Sequence, residues 1–62
     1  MTEQQITQFA RELIRLYSLG WLSGHLNITT PDLSRRIKTN TWLTDQATVI
    51  RRYHEMLVET HT

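Results

Sequence analysis

Leu22-Ser23-Gly24-His25-Leu26-Asn27-Ile28-Thr29-Thr30-Pro31-Asp32-Leu33-Ser34-Arg35-Arg36-Ile37-Lys38 is the stretch whose reading decides the fold. Its apolar residues come in pairs four apart, Leu22 with Leu26 and Leu33 with Ile37, and that spacing sets each pair on one face of a short helix. Between the pairs stands Asn27-Ile28-Thr29. Asparagine tolerates positive φ better than any residue but glycine, so a tight turn is expected there. Thr30-Pro31-Asp32 then opens the next helix: the Thr30 hydroxyl is placed to cap it, Pro31 suits the first helical position, and Asp32 complements the positive end of the helix dipole. The expectation is a helix over 21–26, a turn, and a helix over 31–39.

Upstream, Ile6, Phe9, Ala10, Leu13, Ile14 and Tyr17 recur at three- and four-residue spacing, which predicts a helix over 2–19. Thr2 and Gln5 have the form of a capping box at its start, and Gly20 is read as its terminator. Downstream, Asn40-Thr41 interrupts the pattern before a helix over 44–59. Leu43, Ala47, Ile50, His54 and Leu57 form one stripe of that helix, and Trp42, Val49, Tyr53 and Met56 form a second beside it. The fold class expected is all-α, a compact bundle of about four helices, in a single domain over 1–62.

The order and spacing of LSGHLNITTPDLSRRIK resembles the helix-turn-helix of small prokaryotic DNA-binding regulators, the phage Cro and repressor proteins among them. Leu26 stands where that family ends its first helix, Asn27 where a glycine commonly makes the turn, and Ile28 where an apolar residue plugs it. Thr29-Thr30 stand at the opening of the recognition helix, and Leu33 at its buried middle. Ser23 replaces the usual Ala, and Ile37 follows Leu33 by four residues rather than three. The resemblance implies a sequence-specific DNA-binding protein, a dimeric phage- or plasmid-type transcriptional regulator whose partner is double-stranded DNA.

With Leu33 and Ile37 inward, a 100° step per residue turns Pro31, Arg35, Lys38 and Thr39 outward, toward the major groove if DNA is the partner. Arg35 is the first candidate to read a guanine edge, because its planar fork bonds two acceptors at once. Lys38 is a candidate phosphate contact. Thr29, Thr30 and Ser34 are candidates for phosphate or base edges near the helix N-terminus. Arg36 falls to the side, one turn beyond Asp32, and an Asp32–Arg36 pair would hold it along the helix while leaving it within reach of a phosphate.

Composition gives less. The chain has 62 residues, with seven Lys and Arg against six Asp and Glu, so overall charge does not announce a nucleic-acid binder. The distribution says more: Arg35, Arg36, Lys38, Arg51 and Arg52 face a single Asp45 between residues 35 and 52, which makes Arg51 and Arg52 candidates to extend a basic surface. A chain this short buries only about 60% of the surface its unfolded form exposes, and with no cysteine it has no disulfide to supplement the core. Oligomerisation is the remaining supplement, and a homodimer is expected, with Trp42, Val49, Tyr53 and Met56 as its seam.

No charged leader followed by an apolar run is present at the N-terminus, and no stretch approaches the roughly 18 apolar residues of a membrane span, so a cytoplasmic location is expected. Enzymatic chemistry is not expected either. His25, His54 and His61 lack metal-ligand spacing, no glycine-rich phosphate loop is present, and no serine has the setting of an activated nucleophile. His54 reads as a packed histidine and His61 as part of a frayed end, and neither a metal nor another cofactor is implied. A different class of function remains beside DNA binding: a small helical inhibitor or adaptor that engages another protein through the apolar face of the last helix.

Overall fold

The computed structural model describes residues 2–61, with backbone alone at 60 and 61. It is an all-α bundle of four helices: α1 (Glu3–Leu16), α2 (Leu19–Leu26), α3 (Thr30–Thr39) and α4 (Thr44–His61). The side chain of His61 lies outside the described residues. None of the helices is long and apolar enough to cross a membrane among the described residues.

At the start of α1 the capping box is formed as expected. The Gln5 N–H donates to Thr2 Oγ1 at 3.2 Å, and the Thr2 N–H donates to Gln5 Oε1 at 3.1 Å. Ile6, Ala10 and Leu13 then bury one face. The helix stops at Leu16, short of the expected 19, and Gly20 lies inside α2 rather than ending α1. Ser18 explains the difference. Its hydroxyl accepts from the Trp21 N–H at 2.9 Å and caps a new helix three residues before Trp21, an alternative that a serine offers the backbone and that competes with continuing α1.

Asn27 closes α2 in the left-handed conformation, with φ 59° and ψ 41°. The Ile28 N–H donates to Ser23 O at 3.0 Å and the Asn27 N–H to Gly24 O at 3.2 Å, so the last carbonyls of α2 are satisfied by a Schellman-type closure. Ile28 packs against the core just beyond it. Because a Cβ in this conformation costs roughly 1–2 kcal/mol unless a short polar side chain relieves it, Asn27→Ala is expected to lower stability by about 1 kcal/mol. Asn27→Gly should be neutral or slightly stabilising. Urea unfolding of the two variants checks this, and equal midpoints would contradict it.

The cap of α3 is Thr29, one residue before the expected Thr30. Its hydroxyl accepts from the Asp32 N–H at 3.3 Å, while its carbonyl accepts from the Leu33 N–H at 3.0 Å. Thr30 is therefore the first helical residue, and Pro31, which has no N–H to lose a partner, sits in the free first turn. Asn40 ends α3 as Asn27 ends α2, at φ 53° and ψ 41°, with the Thr41 N–H reaching back to Arg36 O at 3.2 Å.

Leu13, Leu22, Leu33 and Ile50 are the largest fully buried side chains, one from each helix, and Ile6, Ala10 and Leu26 complete the core. Buried polar groups are satisfied within it. Thr7 donates to Glu3 O at 3.1 Å and accepts from Trp42 Nε1 at 2.9 Å, and buried Gln46 accepts from the Leu43 N–H at 3.1 Å, closing the start of α4. α4 packs chiefly on α1, and the two run in the same direction: Ile6 lies beside Ala47, Glu12 bonds His54, and Leu16 lies beside Leu57. α3 packs on α1 and α2, and its backbone stands clear of α4, with Leu33 and Ile50 sharing the core between them.

The two stripes of α4 do not divide into one for the core and one to spare. Ile50 is fully buried at their centre, while Trp42, Ala47, Val49, Tyr53 and Leu57 all pack partly against the core. Leu43, expected at the head of the inward stripe, is 57% exposed because it occupies the capping position outside the first turn. A core of one large side chain per helix needs a wide α4 to cover it.

Candidate nucleic-acid interface

The side chains singled out on α3 can now be placed. Leu33 fixes one face of the helix, fully buried, with Ile37 half-buried one turn on. Thr30, Ser34, Arg35, Lys38 and Thr39 are exposed. Because α4 does not cover this helix, these side chains share a surface limited only by the turn before α3 and the link after it. Thr29 is exposed too, but its hydroxyl is committed to the cap; a ligand at this end would meet the helix N-terminus as well as the side chain.

Thr39 and Arg36 have internal partners. The Thr39 hydroxyl donates to Arg35 O at 3.0 Å, a local bond that leaves an oxygen lone pair outward. The Arg36 guanidinium donates to Thr41 O at 3.2 Å and is half-buried. The expected Asp32–Arg36 pair is not formed; an ion pair instead joins His54 and Glu12, on α4 and α1. Arg36 thus ties the end of α3 to the link toward α4. A buried-side arginine offered the carbonyl just past a left-handed Asn40 has a fixed acceptor, whereas an exposed carboxylate one turn back gains little from pairing in water.

Asp32, Arg35, Arg36, Thr39 and Thr41 surround an open depression of about 240 Å³ on the side of α3. Arg51, by contrast, lines a separate groove of about 390 Å³ between α1 and α4, with Glu3, Ile6, Trp42, Thr44, Ala47 and Thr48. Glu3 lines the same groove, and none of the α3 residues does. Arg52 is exposed on α4. The basic surface is therefore narrower than the sequence cluster implied, and it is carried by Arg35 and Lys38, with Arg36 at its edge.

The residues expected at a dimer seam are distributed differently. Trp42 is held inside the bundle by its bond to Thr7, and Val49 packs on the core. Tyr53 joins an aromatic cluster with Trp21 and His25, edge-on to both at centroid distances of 5.4 and 5.2 Å. Met56 remains 54% exposed. His54 is a packed histidine as expected, stacked on Phe9 at 4.0 Å and bonded through Nε2 to Glu12.

Sequence reasoning missed one surface. Tyr17 stacks on Trp21 at 4.3 Å and Trp21 lies against His25 at 4.2 Å, so three rings form a ladder up one side of α2. The His25 ring carries its hydrogen on Nδ1, since that nitrogen donates to the Trp21 carbonyl at 2.8 Å. The spacing of four from Trp21 to His25 was legible within the expected helix, but Tyr17 stands before the Ser18 cap, outside α2, and its stacking on Trp21 depends on how the chain turns between α1 and α2. Compared with protein-family models, with curated proteins and with solved structures, the chain finds no match.

Proposed function

We propose that the chain is a sequence-specific binder of double-stranded DNA, a dimeric transcriptional regulator of the phage or plasmid type acting in the cytoplasm. In this reading α2, the turn at Asn27 and α3 act as a helix-turn-helix, and α3 enters the major groove. One observation carries it. α3 is anchored on a single side by Leu33, is left uncovered by α4, and presents Ser34, Arg35 and Lys38 outward behind a capped N-terminus. A helix entering a major groove about 12 Å wide has to stand clear of its own bundle in this way.

The dimer is part of the proposal for a geometric reason. The molecule measures 32 × 24 × 17 Å and offers one α3, whereas two major-groove half-sites on one face of DNA lie about 34 Å apart. Two copies are needed to read both. Of the residues expected at the seam Met56 is the one that stays half-exposed; Leu16 and Tyr17, 55% and 52% exposed, extend an apolar surface at the end of α1.

The aromatic ladder favours a second reading, in which the chain is an adaptor or inhibitor that binds another protein, since rigid aromatic side chains suit interface cores. Selection of bound fragments from genomic DNA separates the two. The DNA reading expects retained fragments to share paired half-sites about one helical turn, or a multiple of it, apart, with retention falling steeply as salt rises. If nothing is retained at low salt, the DNA reading is wrong and the protein-binding reading stands.

A further inference from the structure

Asp32 is the residue that a DNA-facing α3 has to account for, since a carboxylate near phosphates repels them. Its expected partner is engaged elsewhere: Arg36 donates to Thr41 O, and no ion pair joins it to Asp32 among the described residues. The Asp32 backbone N–H serves the cap at Thr29, but its carboxylate is exposed and borders the same depression as Arg35. Counting 100° and 1.5 Å per residue, the two side chains leave the helix about 60° apart and about 4.5 Å apart along its axis. Both are on the outward side, Asp32 in the first turn of α3 and Arg35 at its middle, so Asp32 lies nearest the N-terminal end with which a recognition helix meets base edges.

Resting on the DNA-binding reading, we propose that Asp32 and Arg35 together read a guanine and a cytosine in adjacent base pairs of the major groove. The two side chains are chemically opposite. A guanidinium only donates, and guanine O6 and N7 are the pair of acceptors that fits its fork. An ionised carboxylate only accepts; guanine and thymine offer it acceptors, and the adenine amine stands beside the acceptor N7. Cytosine N4 is the major-groove donor with no acceptor next to it on the same base, so the carboxylate selects cytosine. The same carboxylate weakens binding to every other sequence by repelling phosphate, which widens the gap between the correct site and the rest.

The test is selection from a random duplex pool with the unaltered protein and with Asp32→Asn, Asp32→Ala and Arg35→Ala, each first checked for helicity by circular dichroism. The unaltered protein should select guanine and cytosine at neighbouring positions. Asp32→Asn should move the cytosine position toward adenine, whose N6 and N7 suit an amide; Asp32→Ala should relax that position alone, and Arg35→Ala the guanine. With the unaltered protein, changing the selected cytosine to thymine should weaken binding roughly 5- to 100-fold. A selected site without the cytosine, or an unchanged site in both Asp32 variants with uniformly tighter binding, overturns the proposal while the DNA reading stands. No DNA selected by the unaltered protein overturns both. Because the thymine measurement uses the unaltered chain, a variant that fails to fold does not remove the test.

Discussion

Leu33→Ala should leave most of the chain unfolded at room temperature. Leu33 is fully buried and is the one wholly buried side chain that α3 contributes, so its truncation leaves a cavity between α1, α2 and α3. Leu-to-Ala changes at such sites cost about 2–5 kcal/mol, from the lost transfer of the side chain and from the void that stays behind. A core this small rarely supplies more than about 3–5 kcal/mol in total, so the cost and the stability are of one size. The check is urea or thermal unfolding followed by circular dichroism. Leu43→Ala is the control: Leu43 is 57% exposed, and its removal should change stability by no more than about 0.5 kcal/mol. Comparable midpoints for the two variants would mean that α3 is held by something other than Leu33.

The second large effect concerns binding rather than folding. Arg35→Ala combined with Lys38→Ala removes two exposed cations that stand outside the core, so the fold should be kept and its stability should stay within about 0.5 kcal/mol. Affinity for a selected DNA site should nevertheless fall by roughly 10- to 100-fold or more. Loss of a guanine-reading arginine alone accounts for about 1–3 kcal/mol, and loss of a phosphate contact weakens all sequences and lowers the salt slope by roughly one. Titration of labelled duplex at several salt concentrations measures both. A double variant that binds as tightly as the unaltered chain, with the same salt slope, would show that α3 is not the DNA-facing helix. Arg36→Ala offers a contrast, since Arg36 is tied to Thr41 O and its loss should be felt in stability as well.

Much of this architecture is legible in the residues. Helices announce themselves where apolar side chains recur at helical spacing, as at Ile6, Ala10 and Leu13 or Leu22 and Leu26. The turn at Asn27 could be read because few residues accept positive φ; Asn40 was legible only as an interruption, and both adopt that conformation. Errors arose at boundaries and at partners. Thr29 took the cap assigned to Thr30, and Ser18 capped a helix start for which no cap had been read, since a hydroxyl three residues ahead of an N–H is a local competitor whose success depends on where the chain next finds burial. Arg36 took a backbone carbonyl rather than Asp32, because that carbonyl is brought to it by the turn at Asn40.

The candidate site divides in the same way. Which side chains of α3 point away from Leu33 follows from 100° per residue, and Pro31, Arg35, Lys38 and Thr39 could be named without coordinates. That α4 would leave α3 uncovered, that Arg51 would turn to the α1–α4 groove beside Glu3, and that Tyr17, Trp21 and His25 would stack could not. The sequence by itself determined the four helices, the inward faces of α1, α2 and α3 and the left-handed turn at Asn27, because spacing, capping chemistry and φ preference act over a few neighbouring residues. Only the tertiary structure decided which outward faces remain open and which polar groups find one another, because those outcomes depend on how helices far apart in the chain compete for the small amount of surface that a 62-residue core can bury.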